Sequence, residues 1–141
     1  MSAVEIKPGI GVGTLRFGMS ITEARQAMGV MNPETVDKCG PGEPPTDFFF
    51  GCVFAYYDTA SRLQAVECWL PVRPTLDGVD LLGMSARMAM DLLSSRDTSF
   101  EYELGGATAP NLGVGLYVPH PGTESREPAE TVIVFVKGYY D

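Results

Sequence analysis

The 141-residue chain carries ten Lys and Arg against 18 Asp and Glu, a formal charge of −8 at pH 7. That balance repels phosphate backbones and anionic lipid surfaces, so it disfavours nucleic-acid and membrane partners; it either serves only to keep the chain soluble or steers it toward a basic protein partner. With 45% hydrophobic and 20% charged residues the composition is that of a globular chain and not of a disordered one.

The first residues, MSAVEIKPG, have neither the basic segment nor the apolar stretch of a signal peptide, and no run of about 18 apolar residues follows, so a cytoplasmic location is expected. The cluster Gly9-Ile10-Gly11-Val12-Gly13 lacks the GxxxxGK[ST] spacing of a phosphate loop and reads as a turn into a short strand that delivers Phe17 to the core. A helix is predicted next. Ser20 stands at the N-cap position and forms a capping box with Glu23; Ala24, Ala27 and Met28 share one face, and Gly29 suits the C-terminal stop. Pro41, Pro44 and Pro45 mark a loop, after which the period changes from about 3.6 to 2. Asp47 to Gly51, Cys52 to Tyr57 and Leu63 to Trp69 read as strands, the last two joined by the polar turn Asp58 to Ser61.

Leu70 to Gly78, with Pro71 and Pro74, reads as a link to a second stretch of the same kind. There Ser85 takes the N-cap position, and Ala89, Leu92 and Leu93 form the apolar face. The strands expected after this helix are Phe100 to Leu104, Leu112 to Val118 and Thr131 to Val136, with a loop at Pro119, Pro121, Gly122 and Pro128. Gly18-Met19-Ser20 and Gly83-Met84-Ser85 are identical at an offset of 65 residues, as are Ala24 and Ala89. The agreement extends over a full helix, which points to duplication. The fold expected is therefore α+β, two tandem helix-plus-antiparallel-sheet repeats over residues 1–72 and 73–141. A unit of about 65 residues is marginal alone, so the two should form one folding domain. Met19, Met28, Met84, Met88 and Met90 read as core filler.

Helix starts of the form Phe17-Gly18-Met19-Ser20 and Leu82-Gly83-Met84-Ser85, each followed by antiparallel strands, resemble the two tandem copies of the β-lactamase inhibitory protein family. Small bacterial outer-membrane assembly lipoproteins have a similar start in a single copy. The resemblance implies a concave sheet surface that grips a partner protein. The chain departs from the inhibitor family in lacking a signal peptide, and from the lipoproteins in lacking a lipobox cysteine. It also has no cysteine in its second half, although Cys39 and Cys52 fall about where the family's first disulfide lies. In a reducing cytosol free thiols are expected.

Catalytic signals are sparse. The single histidine, His120, lies in a Pro-Gly loop with no nucleophile elbow in the sequence, and three cysteines with no CxxC pair do not suggest a zinc site. Neither catalytic residues, cofactor nor metal is expected. Asp77 and Asp80 precede the second helix and complement its positive end. Aromatic residues exceed what one sheet face needs, since Phe48-Phe49-Phe50, Tyr56-Tyr57, Trp69, Tyr117 and Tyr139-Tyr140 must occupy both faces. The surplus suits a protein-binding face; the alternative is that these rings seal the seam between the copies or a homodimer. The binding residues expected are Phe49, Tyr57, Trp69 and Tyr117, with Glu124 and Glu127 on an acidic rim. The function expected is a protein-binding or inhibitory protein, immunity-like, whose aromatic, acidic sheet face occludes a partner. A small-molecule-binding or enzymatic domain with a pocket between the sheets and a structural homodimer module are the alternatives.

Overall fold

The computed structural model describes residues 3–37, 41–103, 105–118 and 126–139. Cys39, Leu104, His120, Glu124 and Tyr140 of the sequence reading lie outside them. The chain opens with β1 (Ala3–Lys7), β2 (Gly11–Val12) and β3 (Leu15–Arg16), then α1 (Ile21–Met28), β4 (Glu34–Val36), β5 (Thr46–Phe49), β6 (Val53–Tyr57) and β7 (Leu63–Cys68). It continues with β8 (Arg73–Leu76), β9 (Val79–Asp80), α2 (Ala86–Arg96), β10 (Glu101–Glu103), β11 (Gly106–Ala109), β12 (Val114–Tyr117) and β13 (Thr131–Phe135). The fold is mixed α+β and rich in strands.

The helices start and stop where their termini can be satisfied. At α1 the Ser20 hydroxyl accepts from the Glu23 N–H at 3.1 Å, and the Glu23 carboxylate accepts from the Ser20 N–H at 2.9 Å. The bond from the Ser20 N–H first, and then the nearby Ser20 hydroxyl, hold the Glu23 carboxyl below its ordinary pKa. Gly29 ends the helix in the left-handed region at φ 74°, where a side chain would be strained. At α2 the Ser85 hydroxyl accepts from the Met88 N–H at 3.2 Å. Met88 occupies the place of Glu23, so the cap there is single. It is also 59% exposed, which removes it from the core where the sequence reading had put it. Ala24, Ala86, Ala89, Met90 and Leu93 are the buried helix residues.

Eight strands form one antiparallel sheet in the order β10-β11-β12-β13-β7-β6-β5-β4. The order is symmetric about the junction of β13 and β7, because each helix is followed by four strands and the last strands of the two runs pair. A second sheet runs β3-β2-β1-β8-β9. In it β1 pairs in parallel with β8, Ala3 opposite Arg73 and Glu5 opposite Thr75, so the segment Leu70 to Gly78 is partly strand and not a simple link. Both sheets thus draw strands from both sides of residue 72.

Side chains alternate across a strand, so the eight-stranded sheet has two separate faces. On the inner face, cross-strand neighbours Ala107, Leu116, Val132, Cys68, Val53 and Phe49 form one row. Ala109, Val114, Val134, Val66, Ala55 and Asp47 form the next. All are buried, and they share a core with both helices and with Ile6, Val12, Leu15 and Leu76 of the small sheet. Phe49 and Tyr57, expected on a binding face, are 0% and 2% exposed in this core. The correction has a plain cause: period 2 puts Phe49 and Phe48 on opposite faces, and the same holds for Tyr57 and Tyr56.

Two buried acids are fully engaged. Asp47 takes a bidentate ion pair from Arg25 of α1, with Nε to Oδ2 at 2.9 Å and Nη2 to Oδ1 at 2.8 Å, and the Tyr57 hydroxyl donates to Oδ2 at 2.8 Å. Burial, and then this bond to a carboxylate, push the Tyr57 phenol far above its ordinary pKa. Asp97, at the end of α2, accepts from the N–H groups of Ser99, Asn111 and Leu112 and from the Asn111 side-chain amide. Burial pushes its carboxyl up, but these donors together hold it below its usual value. The bonds pin the end of α2 to the turn between β11 and β12.

Candidate functional site: the outer face of the large sheet

The outer face is carried by the residues that alternate with the core rows. One row of cross-strand partners crosses all eight strands without a break: Glu101, Thr108, Gly115, Ile133, Glu67, Phe54, Phe48 and Glu34. It has a carboxylate at each end and one in the middle. Phe54, Phe48 and Trp69, which follows β7 directly, form a ring cluster. Their centroids are 4.5 Å apart for Phe48 and Phe54, 5.0 Å for Phe54 and Trp69, and 5.8 Å for Phe48 and Trp69. All three are half-buried, so they pack on one another and still reach solvent. Of the run Phe48-Phe49-Phe50, Phe48 belongs to this face, Phe49 to the core, and Phe50 to an exposed turn at φ 55°. A smaller cluster of Tyr56, Ala65 and Phe135, with Phe54, Ile133 and Tyr139 packed against it, lies on the same face.

Toward β11 and β12 the rings give way to small residues. Gly115 is closely overlain, because a Cβ there would sit 3.0 Å from Cγ2 of Ile133 and that methyl would have to give way. With Gly105, Gly106 and Thr108 it forms the floor of a depression of about 230 Å³ walled by Tyr117, Thr131 and Glu67. A second recess, of about 390 Å³, adjoins it and is lined by Phe54, Glu67, Trp69, Tyr117, Glu130 and Thr131. The Tyr56 hydroxyl donates to Oε1 of Glu67 at 2.6 Å and fixes the position of that oxygen. Tyr117 is 48% exposed, and the Glu130 N–H donates to the Tyr117 carbonyl at 2.9 Å, which places Glu130 at the rim.

Trp69 and Tyr117, two of the residues expected to bind, are thus brought together on one surface. Glu127 is exposed but is held elsewhere, its carbonyl accepting from the Ala86 N–H at the start of α2 at 2.7 Å. Phe48, Phe54, Glu67 and Glu130 were missed. A signal for one of them was present, since Phe54, like Tyr56, alternates with Val53, Ala55 and Tyr57. Nothing in the sequence, however, says which set faces the helices.

The cavity between the two sheets is different in kind. It measures about 60 Å³, far below the room a substrate needs, and Val4, Val12, Met28, Val53, Val66 and Cys68 are among its lining. Burial pushes the Cys68 thiol up to about 12, and it also raises Cys52. A thiol held protonated is a poor nucleophile or metal ligand. Both cysteines are free. Among the described residues no group of three or more His, Cys, Asp or Glu converges as a metal would require, and no helix is long and apolar enough to cross a membrane. Comparison with protein-family models, with curated proteins and with solved structures finds no match.

Proposed function

We propose that the chain is a protein-binding, inhibitor-like protein of the immunity kind, which lays the outer face of its large sheet over a basic partner. The observation that carries this reading is the unbroken row across eight strands, with a carboxylate at each end and one in its middle, and the cluster of Phe48, Phe54 and Trp69 on its β5–β7 side. Aromatic rings with a polar rim are the composition of interface centres, and a charge of −8 steers a basic partner onto the face. In this reading the symmetric strand order reflects duplication of one helix-and-meander unit, as in the β-lactamase inhibitory protein family. The binding residues are Phe48, Phe54, Trp69 and Tyr117, and the site of action is the cytoplasm.

The test is differential capture from the native cell. A partner retained by the wild-type chain should be lost with Trp69→Ala and kept with Met88→Ala, a more exposed apolar residue on α2. The affinity lost at a central ring should be about 2 kcal/mol by titration calorimetry. Equal retention by both variants would show that the face is not the interface.

A further inference from the structure

The tip of the β5–β6 hairpin breaks a local rule. Phe50 and Gly51 are both left-handed, at φ 55° and 73°, and the Cys52 N–H closes the turn on the Phe49 carbonyl at 3.1 Å. The hairpin between β8 and β9 turns through two left-handed residues as well, at φ 51° and 80°, but does so with Asp77 and Gly78. Aspartate and asparagine tolerate that region because a short polar side chain can bond the local backbone, whereas a bulky ring is strained there. Packing does not offset the strain, since Phe50 is 58% exposed. An exposed phenylalanine alone would need no explanation. One that is both strained and unburied is a local conflict, and in native folds such conflicts gather at working surfaces. The Trp69 N–H donates to the Cys52 carbonyl at 3.0 Å, which sets this turn beside Trp69 and the half-exposed Leu70. Phe48, two residues before Phe50, has its ring 5.8 Å from that of Trp69. The ring cluster of the outer face therefore continues, at this end of the sheet, into two exposed apolar residues.

We propose that Phe50 is an anchor of the interface, its ring entering an apolar pocket on the basic protein partner while the outer face covers the surface around that pocket. The partner is the one that a charge of −8 steers onto the face, so the assignment rests on the outer face being the binding face. It carries the interface past the end of the sheet and accounts for a phenylalanine where asparagine would suit the turn better.

Two measurements of opposite sign test this. Phe50→Asn should raise the urea midpoint by about 0.5 M, because it relieves the strain, and should weaken the complex by about thirtyfold. The partner is found with the photo-crosslinker p-benzoyl-phenylalanine placed at position 50 of the full chain in the native cell. The same group at position 88, where Met88 is 59% exposed on α2, is the reference. One protein should be crosslinked from position 50 and not from position 88, and once purified it is titrated against the wild type and the variants by calorimetry. A crosslink no stronger from 50 than from 88, an adduct with a second copy of the chain, or wild-type affinity in Phe50→Asn would overturn the assignment. So would a urea midpoint that stays put or falls, since the turn would then be unstrained or the ring part of the fold. If Phe50→Asn binds as wild type while Trp69→Ala does not, the anchor is overturned and the binding face stands. If neither change weakens the complex, face and anchor fall together.

Discussion

The two faces of the eight-stranded sheet are made by the same strands and differ only in which alternate residues they display. The inner face is apolar and buried, and the one acid among its described residues, Asp47, is met by Arg25 and Tyr57. The outer face carries two rings, a glycine, a threonine, an isoleucine and three glutamates along one row. A sheet that only had to be covered on one side could place ordinary polar residues on the other. Instead, the outer rings are packed into a cluster at 4.5 to 5.8 Å, an arrangement that fixes their orientation before any partner arrives. On the proposed reading, that fixed geometry lowers the ordering cost of association.

The sharpest way to break this comparison uses neighbours in β5. Phe49→Ala should destabilise the fold by about 4 kcal/mol, because it empties a fully buried site beside Val53. Phe48→Ala, one residue away on the outer face, should cost about 1 kcal/mol, the worth of its ring contacts. Urea unfolding of both variants measures the difference, and equal losses would mean that the outer cluster is a second core and not a surface.

The next effect concerns Asp97. Since its folded pKa is depressed, its contribution is present above the unfolded value of about 3.9 and is lost as pH falls through the lower folded value. Asp97→Ala should remove about 3 kcal/mol at pH 7, because three backbone N–H groups lose their acceptor. The gap between wild type and variant in thermal melts should narrow in acid. A gap that stays constant down to pH 2 would show that the carboxylate's charge contributes nothing.

The helix starts were legible because their causes are local: a hydroxyl at the N-cap, a glutamate three residues on, and a glycine in the left-handed region at the end of α1. Three of the large-sheet strands in the first half, β5, β6 and β7, were legible from period 2 alone. β11 was not, since Gly106-Ala107-Thr108-Ala109 has little β propensity, and its place in the sheet comes from pairing with β12. Its omission also shifted the expected correspondence: Phe100 to Leu104 was set beside β5, but β10 occupies the place of β4. β8 was hidden by Pro74, which is tolerated because pairing with β1 is supplied by its neighbours. At the candidate site, Trp69 and Tyr117 were legible as surplus aromatics. Phe49 and Tyr57 were misplaced because alternation fixes which residues share a face but not which face meets the helices. That depends on contacts distant in sequence, such as Arg25 with Asp47.

The smallest expected effect compares the two helix caps. Ser20 and Ser85 occupy matching positions, and each hydroxyl accepts one backbone N–H, yet only Ser20 belongs to a reciprocal box, since the residue three positions on is Glu23 in one case and Met88 in the other. Removing the Ser20 hydroxyl should cost about 1 kcal/mol. Ser85→Ala should cost about 0.5 kcal/mol, because α2 is three residues longer and packs four buried side chains against the core, so a frayed first turn is less damaging. Met88→Glu should then stabilise α2 by completing the box and by placing a negative charge in its first turn, at an exposed position where no packing is lost. In the Ser85→Ala background the same change should give less, because the glutamate can still accept from the residue 85 N–H but the reciprocal bond to the hydroxyl is missing. A double-mutant cycle by chemical denaturation reads the difference, and additivity of the two changes would show that the matching sequence positions do not carry matching cap chemistry.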